Sequence, residues 1–315
     1  MLIVKKFGGT SVADKDRIFN VAKRCIRDYE AGNDVVVVLS AMGKYTDELI
    51  AKAKDINQNP PKREMDMLFT IGEQMSVSLM AMAMAQLGVR AVSLNAFQVP
   101  MRTTSAYGNA RLKKIDTERI RRELDDRKIV IVTGFQGVNK YDDYTTLGRG
   151  GSDTTAVALA AVLHADACEI YTDVDGVYTA DPRLVPTARK LESISYDEML
   201  DLSNEGAKVL HNRCVEIAQK YNVLIETGST FNNNIGTQIN NKIEESSVKS
   251  IVKNDNLFLI TLKYENYNAD MLNKLYFLLV KNDITPTNII NNSTNSFNIS
   301  FTIKASDLGK FQELL

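Results

Sequence analysis

The chain has 315 residues, 44% of them hydrophobic and 24% charged, with a net charge of −1; that length holds one large domain plus a small one, or two of medium size. Near-neutral charge gives no field to draw nucleic acid or an acidic membrane. No apolar run approaches the roughly 20 residues that span a bilayer, and the N-terminus runs straight into structured pattern with no basic-apolar leader.

Leu2, Ile3 and Val4 read as a short buried strand that turns at Gly8-Gly9. Ile18, Val21, Ala22, Cys25, Ile26 and Tyr29 then recur at helical spacing, up to a C-cap at Gly32. Val35 to Leu39 is a continuous apolar run, as a central parallel strand requires. A helix through Glu48 to Ala53 is broken at Asn57 to Pro61, and a long helix runs from about Arg63 to Leu87. Its Met75, Met80, Met82 and Met84 read as core packing. Strand Ala91–Leu94, helix Thr117–Leu124, strand Ile129–Thr133, helix Asp153–Leu163, strand Cys168–Thr172, helix Ala207–Tyr221 and strand Val223–Glu226 follow. This alternation specifies an α/β domain with a mainly parallel sheet sandwiched by helices. Ligands of such sheets gather at the carboxyl ends of strands.

The composition changes near residue 228, where an Asn- and Ser-rich stretch with little periodicity reads as an extended connection to Lys249. The expected division is therefore a large α/β domain at 1–227, a linker at 228–249 and a small α+β unit at 250–315. The last contains strand Leu257–Leu262, helix Asp270–Val280, strands near Ile289 and at Phe297–Ile303, and a helix from Ser306. Cys25, Cys168 and Cys214 are odd in number and far apart. They read as reduced core thiols in a reducing, cytoplasmic compartment. Two histidines are too few for a His-based metal site.

Four segments carry chemistry. In Lys6-Phe7-Gly8-Gly9-Thr10-Ser11 the glycines let backbone N–H groups form an anion nest, and Lys6 can neutralise a phosphate. As plain structure it is a strand–turn–helix corner. It is neither G-x-x-x-x-G-K-[ST] nor G-x-G-x-x-G. Ser40-Ala41-Met42-Gly43 with Thr46 brings hydroxyls to a strand end, where they serve either a ligand or an N-cap. Glu73, beside Gly72 in the long helix, is either solvated or faces a crevice where it can hold an ammonium group. Thr145 to Ala156 holds three glycines and Ser152 ahead of a helix with Asp153 in its first turn, a second anion-binding helix start. Arg149 can grip a carboxylate through two parallel hydrogen bonds; otherwise Ser152 or Asp153 caps the helix and Arg149 is a surface residue. Thr172 to Arg183 and Gly206 to His211 supply further turns at strand ends.

Taken in order, these segments resemble the aspartate kinases of the amino-acid kinase family, from the Lys-Phe-Gly-Gly-Thr-Ser-Val opening onward. The resemblance implies transfer of the ATP γ-phosphoryl group to the β-carboxylate of L-aspartate, the first step of lysine, threonine and methionine biosynthesis. It implies nucleotide contacts from Lys6, Phe7, Gly8, Gly9, Ser40, Thr172, Asp173, Tyr178, Arg183, Lys208 and Val209, and substrate contacts from Thr46, Glu73, Arg149 and Ser152. Lys6 and Asp153 are the catalytic pair, Asp153 positioning the lysine. Mg²⁺ is expected on the ATP phosphates and water, with no protein ligand named. Asn212 stands where the family usually has proline, and Asn204-Glu205 where a small or aromatic pair is usual.

The C-terminal β-α-β-β-α order resembles an ACT domain, which implies an amino-acid effector such as lysine or threonine and a homo-oligomer. The chain ends before that module's last strand, so the module is expected to be incomplete, with weak feedback inhibition. Two other functions stay open: a kinase of the same fold acting on another small acid, and a catalytically silent amino-acid sensor.

Overall fold

A computed structural model describes residues 1–207, 209–232, 236–242, 250–264, 269–282, 284–292 and 297–314. Two compact units divide between Val252 and Lys253. In the first, strand β1 (Leu2–Phe7) leads to helix α1 (Lys15–Glu30), capped by the Asp14 carboxylate, which accepts from the Arg17 amide. Then come β2 (Asp34–Leu39), α2 (Tyr45–Ile56), α3 (Lys62–Gln86), β3 (Ala91–Leu94), β4 (Met101–Thr103), β5 (Leu112–Ile115), α4 (Glu118–Asp125) and β6 (Ile129–Thr133). β7 (Gln136–Val138), β8 (Tyr144–Thr146), α5 (Gly151–Leu163), β9 (Ala167–Thr172), β10 (Ser193–Ser195), α6 (Tyr196–Asn204), α7 (Asn212–Tyr221), β11 (Ile225–Ser229) and β12 (Thr237–Asn240) complete it.

The main sheet has eight strands in the order β10-β12-β11-β9-β1-β2-β6-β3. The six from β11 to β3 run parallel, and β12 turns antiparallel at one side. Side chains alternate across this sheet, so the all-valine run of β2 feeds two cores at once. Val36 and Val38 pack with Val157 and Leu159 of α5, while Val35 and Val37 pack with α1 and with Met80 and Met84 of α3. That is why the run shows no polar alternation.

The same alternation separates two adjacent lysines. Lys5 points to the α1 face, 1% exposed, with Nζ 2.6 Å from Asp28 Oδ2, bonded to Glu169 Oε2 and 5.7 Å from the Tyr171 ring centre. Burial, the largest single influence, would lower its pKa, but Glu169, Tyr171 and Asp28 together outweigh it and hold it above the ordinary value. Lys6 points to the other face, toward α5.

Several expectations change. α7 starts at Asn212, not near Ala207, because His211 is its N-cap and accepts from the Arg213 amide. α6 was not foreseen, although Ser195 and Glu198 form a capping box. The stretch after residue 228 is not a plain linker: β11 runs to Ser229, β12 pairs with it, and the unit continues to Val252. A second sheet, β5-β4-β7-β8, is made of strands of three or four residues, too short for a periodic signal. Met82 is 65% exposed while Met80 and Met84 are fully buried, since a two-residue step crosses to the far side of a helix. All three cysteines are free and buried. Among the described residues α3 alone is long and apolar enough to cross a bilayer, but its buried Asp66 and Glu73, and its packing on α1 and the sheet, make it a core helix.

The second unit has β13 (Leu257–Tyr264), α8 (Ala269–Lys281), β14 (Thr287–Asn292), β15 (Phe297–Lys304) and α9 (Leu308–Gln312). Its antiparallel sheet runs β13-β15-β14 over a core of Leu279, Ile284, Ile299, Phe301, Ile303 and Phe311.

Removing one member of a buried ion cluster strands its partners. Lys5→Ala should therefore cost about 3 kcal/mol in urea unfolding. A loss below about 1 kcal/mol would mean the Lys5 cluster behaves like a surface pair.

Candidate active site

Lys6 ends in a contact of 2.6 Å between its Nζ and Asp153 Oδ1, with the two side chains 9% and 13% exposed. Asp153 is the third residue of α5. Gly150 stands at that helix's N-cap with φ 69°, and no side chain caps it. The capping alternative for Ser152 and Asp153 is therefore not realised. A Cβ on Gly150 would come within 2.3 Å of His211, so only glycine fits there. Burial lowers the pKa of that histidine, as does Arg213.

The glycine loop is clamped from the other side. A Cβ on Gly9 would lie 2.5 Å from the Ala41 carbonyl, and Gly43 N donates to Gly9 O at 2.9 Å. The Ser40–Gly43 segment is thus fixed against Gly8-Gly9, next to Lys6. Ser40 and Thr46 are half-buried. Neither caps α2, whose N-cap position is Lys44 with no side-chain bond. Phe7 is fully buried and stacked on Tyr171 at 4.8 Å, so it can offer a ligand only its backbone.

Glu73 is drawn to the same segment. A Cβ on Gly72 would strike the Ala41 side chain at 2.6 Å, so glycine lets α3 press close to the loop. Glu73 is 3% exposed; its Oε1 accepts from Ala41 N at 3.2 Å, and its Oε2 is buried without a partner. Burial pushes its pKa up to about 7, the hydrogen bond from Ala41 only partly opposing it. A buried carboxylate with one orphaned oxygen is able to accept a cation or a donor. The solvated-glutamate alternative is not what the structure contains. Thr133 Oγ1 and Gln136 Oε1, at the end of β6 and the start of β7, are also buried and unpartnered. Neither stood out in the sequence, where only the neighbouring glycines mark the turn.

Arg149 lies on the loop ahead of α5, exposed, with no ion pair or hydrogen bond among the described residues. Ser152 is 8% exposed, and its Oγ sits 2.6 Å from where a Cβ on Gly134 would be. The Thr172–Arg183 segment is more loosely organised. Thr172 Oγ1 closes a local turn with Val174, Asp173 is exposed, and the Tyr178 hydroxyl donates to Asp175 at 2.8 Å. Arg183 is 84% exposed and paired with Asp181 at 2.6 Å. Val209 is half-buried, and Lys208 lies outside the described residues. A cavity of about 360 Å³ on the α1 side, lined by Arg17, Lys23, Arg24 and Arg27, includes none of the expected site residues. Arg24 there bonds the carbonyls of Ser229 and Asn232.

A lysine–aspartate pair beside a clamped glycine loop, a buried half-satisfied glutamate and an arginine with no ion pair among the described residues are features that suit a kinase for a small amino acid. The family model described as the amino acid kinase family matches residues 1–226. The chain belongs to that family, within its aspartokinase branch. It is 49% identical over 319 residues to an aspartokinase of Bacillus sp. strain MGA3, covering all of this chain and 78% of that protein. The E. coli aspartokinase III structure with aspartate and ADP superposes with a TM-score of 0.81 at 28% identity, over 96% of this chain and 79% of that one. The Synechocystis aspartate kinase has a TM-score of 0.71 at 40% identity, over 98% of this chain and 54% of that one.

Glu73 gives a pH signature. Its pKa is higher folded than unfolded, so the native state binds the extra proton and stability falls as pH rises from about 4.5 toward 7. Between those pH values wild type should lose up to about 3 kcal/mol relative to Glu73→Gln in denaturant unfolding. Parallel pH curves for the two proteins would contradict the buried, orphaned carboxylate.

Proposed function

We propose that the chain phosphorylates the β-carboxylate of L-aspartate with ATP, giving ADP and L-4-aspartyl phosphate. The observation that carries this reading is the Lys6–Asp153 pair beside the clamped Gly8-Gly9 loop, in a chain half identical to aspartokinases. A carboxylate is already a nucleophile at neutral pH, so the protein needs no general base. Its work is to hold two anions in line and offset the charge of the transferring group. Lys6 and the Gly8 and Gly9 amides would face the phosphates, with Ser40 beside them and Asp153 holding the ammonium in place. Phe7 contributes backbone only.

Across the cleft, Glu73 would take the α-ammonium and Arg149 the α-carboxylate, with Thr46 and Ser152 as hydroxyl contacts. Thr172, Asp173, Tyr178, Arg183 and Val209 would line the nucleotide, joined by Lys208 on the motif alone. Arg183 must first leave Asp181, an exposed pair worth little. Magnesium enters as part of the ATP complex, held by phosphates and water. At the cradle the nearby carboxylate is Asp153, which Lys6 occupies.

The second unit is proposed as an ACT-like sensor of lysine or threonine, on its β-α-β-β-α order and antiparallel sheet. An E. coli aspartokinase III structure in complex with lysine and aspartate, with a TM-score of 0.78 at 28% identity, supports an amino-acid effector. The exposed Phe258, Leu259 and Phe277 support a homo-oligomer, and the three buried free thiols a reducing cytoplasm.

With hydroxylamine as a trap, aspartyl hydroxamate should form only when ATP and L-aspartate are both present. No hydroxamate from aspartate, alongside ATP turnover with glutamate, carbamate or UMP, would overturn the substrate. Lys6→Ala should lower kcat at least about 100-fold with an unchanged melting curve. Normal turnover would remove Lys6 from the mechanism.

A further inference from the structure

Arg149 makes no hydrogen bond or ion pair among the described residues, so the direction of its guanidinium depends on the loop that carries it. That loop, residues 147–150, is an arch. One foot is Gly150-Gly151 at the start of α5; the other is Thr146-Leu147 at the end of β8. Two side chains far away in sequence grip the second foot. Asp66 of α3, fully buried, accepts from Thr146 N at 2.9 Å and Thr146 Oγ1 at 2.7 Å, and from Gly108 N at 2.9 Å. Arg213 of α7 donates from Nη1 to Leu147 O at 2.8 Å and from Nη2 to Asn109 Oδ1. Gly148, at φ 77°, is pressed against Asn109 and Gly108, which ties the arch to the same two anchors.

We propose that Asp66 and Arg213 are positioning residues: together they clasp the Thr146-Leu147 foot of the arch and so aim Arg149 at the α-carboxylate of the amino-acid substrate. This rests on the reading of Arg149 given above. A fully buried carboxylate is an expensive anchor for a three-residue strand, even one whose Thr145 and Thr146 are themselves buried. Its three acceptor bonds all go to the arch and the segment beside it. Asp66 also lies seven residues before Glu73, two helical turns along one face of α3 and about 10 Å of rise. One rigid helix therefore spaces the ammonium seat from the foot of the carboxylate arm.

A role confined to stability would slow catalysis for both substrates alike. Aiming Arg149 makes a narrower demand. Asp66→Ala should raise the aspartate KM about tenfold or more and leave the ATP KM within about twofold. Asp66→Asn keeps an oxygen for the two amides, and Thr146 Oγ1 can reverse to accept from the new amide, so it should restore most of the affinity. In an Arg149→Ala background, Asp66→Ala should add less than about a twofold further rise, because the group it aims is gone.

If the two defects multiply in full, or if the ATP KM climbs in step, Asp66 is a fold anchor and the clasp is wrong. If Arg149→Ala alone leaves the aspartate KM unchanged, the reading of Arg149 fails and takes the clasp with it, a different pattern from the first. Should Asp66→Ala not fold, Arg213→Ala carries the same expectation with Asp66 intact: the aspartate KM rises, the ATP KM holds, and the effect vanishes in the Arg149→Ala background. A rise shared by both substrates would overturn the proposal there too.

Discussion

The ion pair between Lys6 and Asp153 joins the last turn of the central strand to the first turn of α5, and the candidate site is assembled around it. Burying two charges at this depth is no efficient route to stability, because the desolvation cost consumes most of the attraction. It does fix an ammonium beside the glycine loop, at the positive N-terminal end of a helix that no side chain caps. The neighbouring lysine makes the contrast plain. Lys5 projects to the opposite face of the same strand and closes a cluster with Asp28, Glu169 and Tyr171. One lysine holds β1 to β9 and α1; the other pairs with Asp153 at the start of α5.

α3 supplies the second half of the frame. Gly72 allows it to approach the Ser40–Gly43 segment, Glu73 bonds the Ala41 amide, and Asp66 bonds the end of β8. Glu73 differs from Asp66 in one respect. Every oxygen of Asp66 is satisfied, whereas Glu73 Oε2 has no partner. A fold that leaves a buried carboxylate half-satisfied accepts a penalty that a bound cation would remove. The two carboxylates on one helix are thus unevenly bonded, which fits the proposed positioning role for Asp66 and the proposed ligand contact for Glu73.

Much of this was legible in the sequence wherever signals were long or local. Val35 to Leu39 reads as a strand buried on both faces and is one. The glycine turns at residues 8–9 and 150–151 fall at the end of β1 and the start of α5, where Gly9, Gly150 and Gly151 leave no room for a Cβ. What escaped did so for physical reasons. β4, β5, β7 and β8 are too short to show a period, and β12 lies in a polar stretch that reads as a linker. The capping box that opens α6 was present as Ser195 and Glu198 but carried no apolar run strong enough to draw notice. Glu73 was ambiguous because its burial depends on how close Gly72 lets α3 come, a tertiary fact. Asp66 was invisible as a site residue, since its partner Thr146 is 80 residues away. The engagement of Arg183 with Asp181 is a surface choice among exposed charges that no pattern dictates.

The most direct measurement is a crystal structure of the protein with L-aspartate, Mg²⁺ and a non-hydrolysable ATP analogue. The γ-phosphate should lie within hydrogen-bond distance of Lys6 Nζ and the Gly8 and Gly9 amides. The aspartate ammonium should sit on Glu73 Oε2 and its α-carboxylate on Arg149, leaving the β-carboxylate in line with the γ-phosphorus. A nucleotide seated instead in the arginine-lined cavity beside α1, or aspartate bound with its poles reversed, would contradict the assignment of the site.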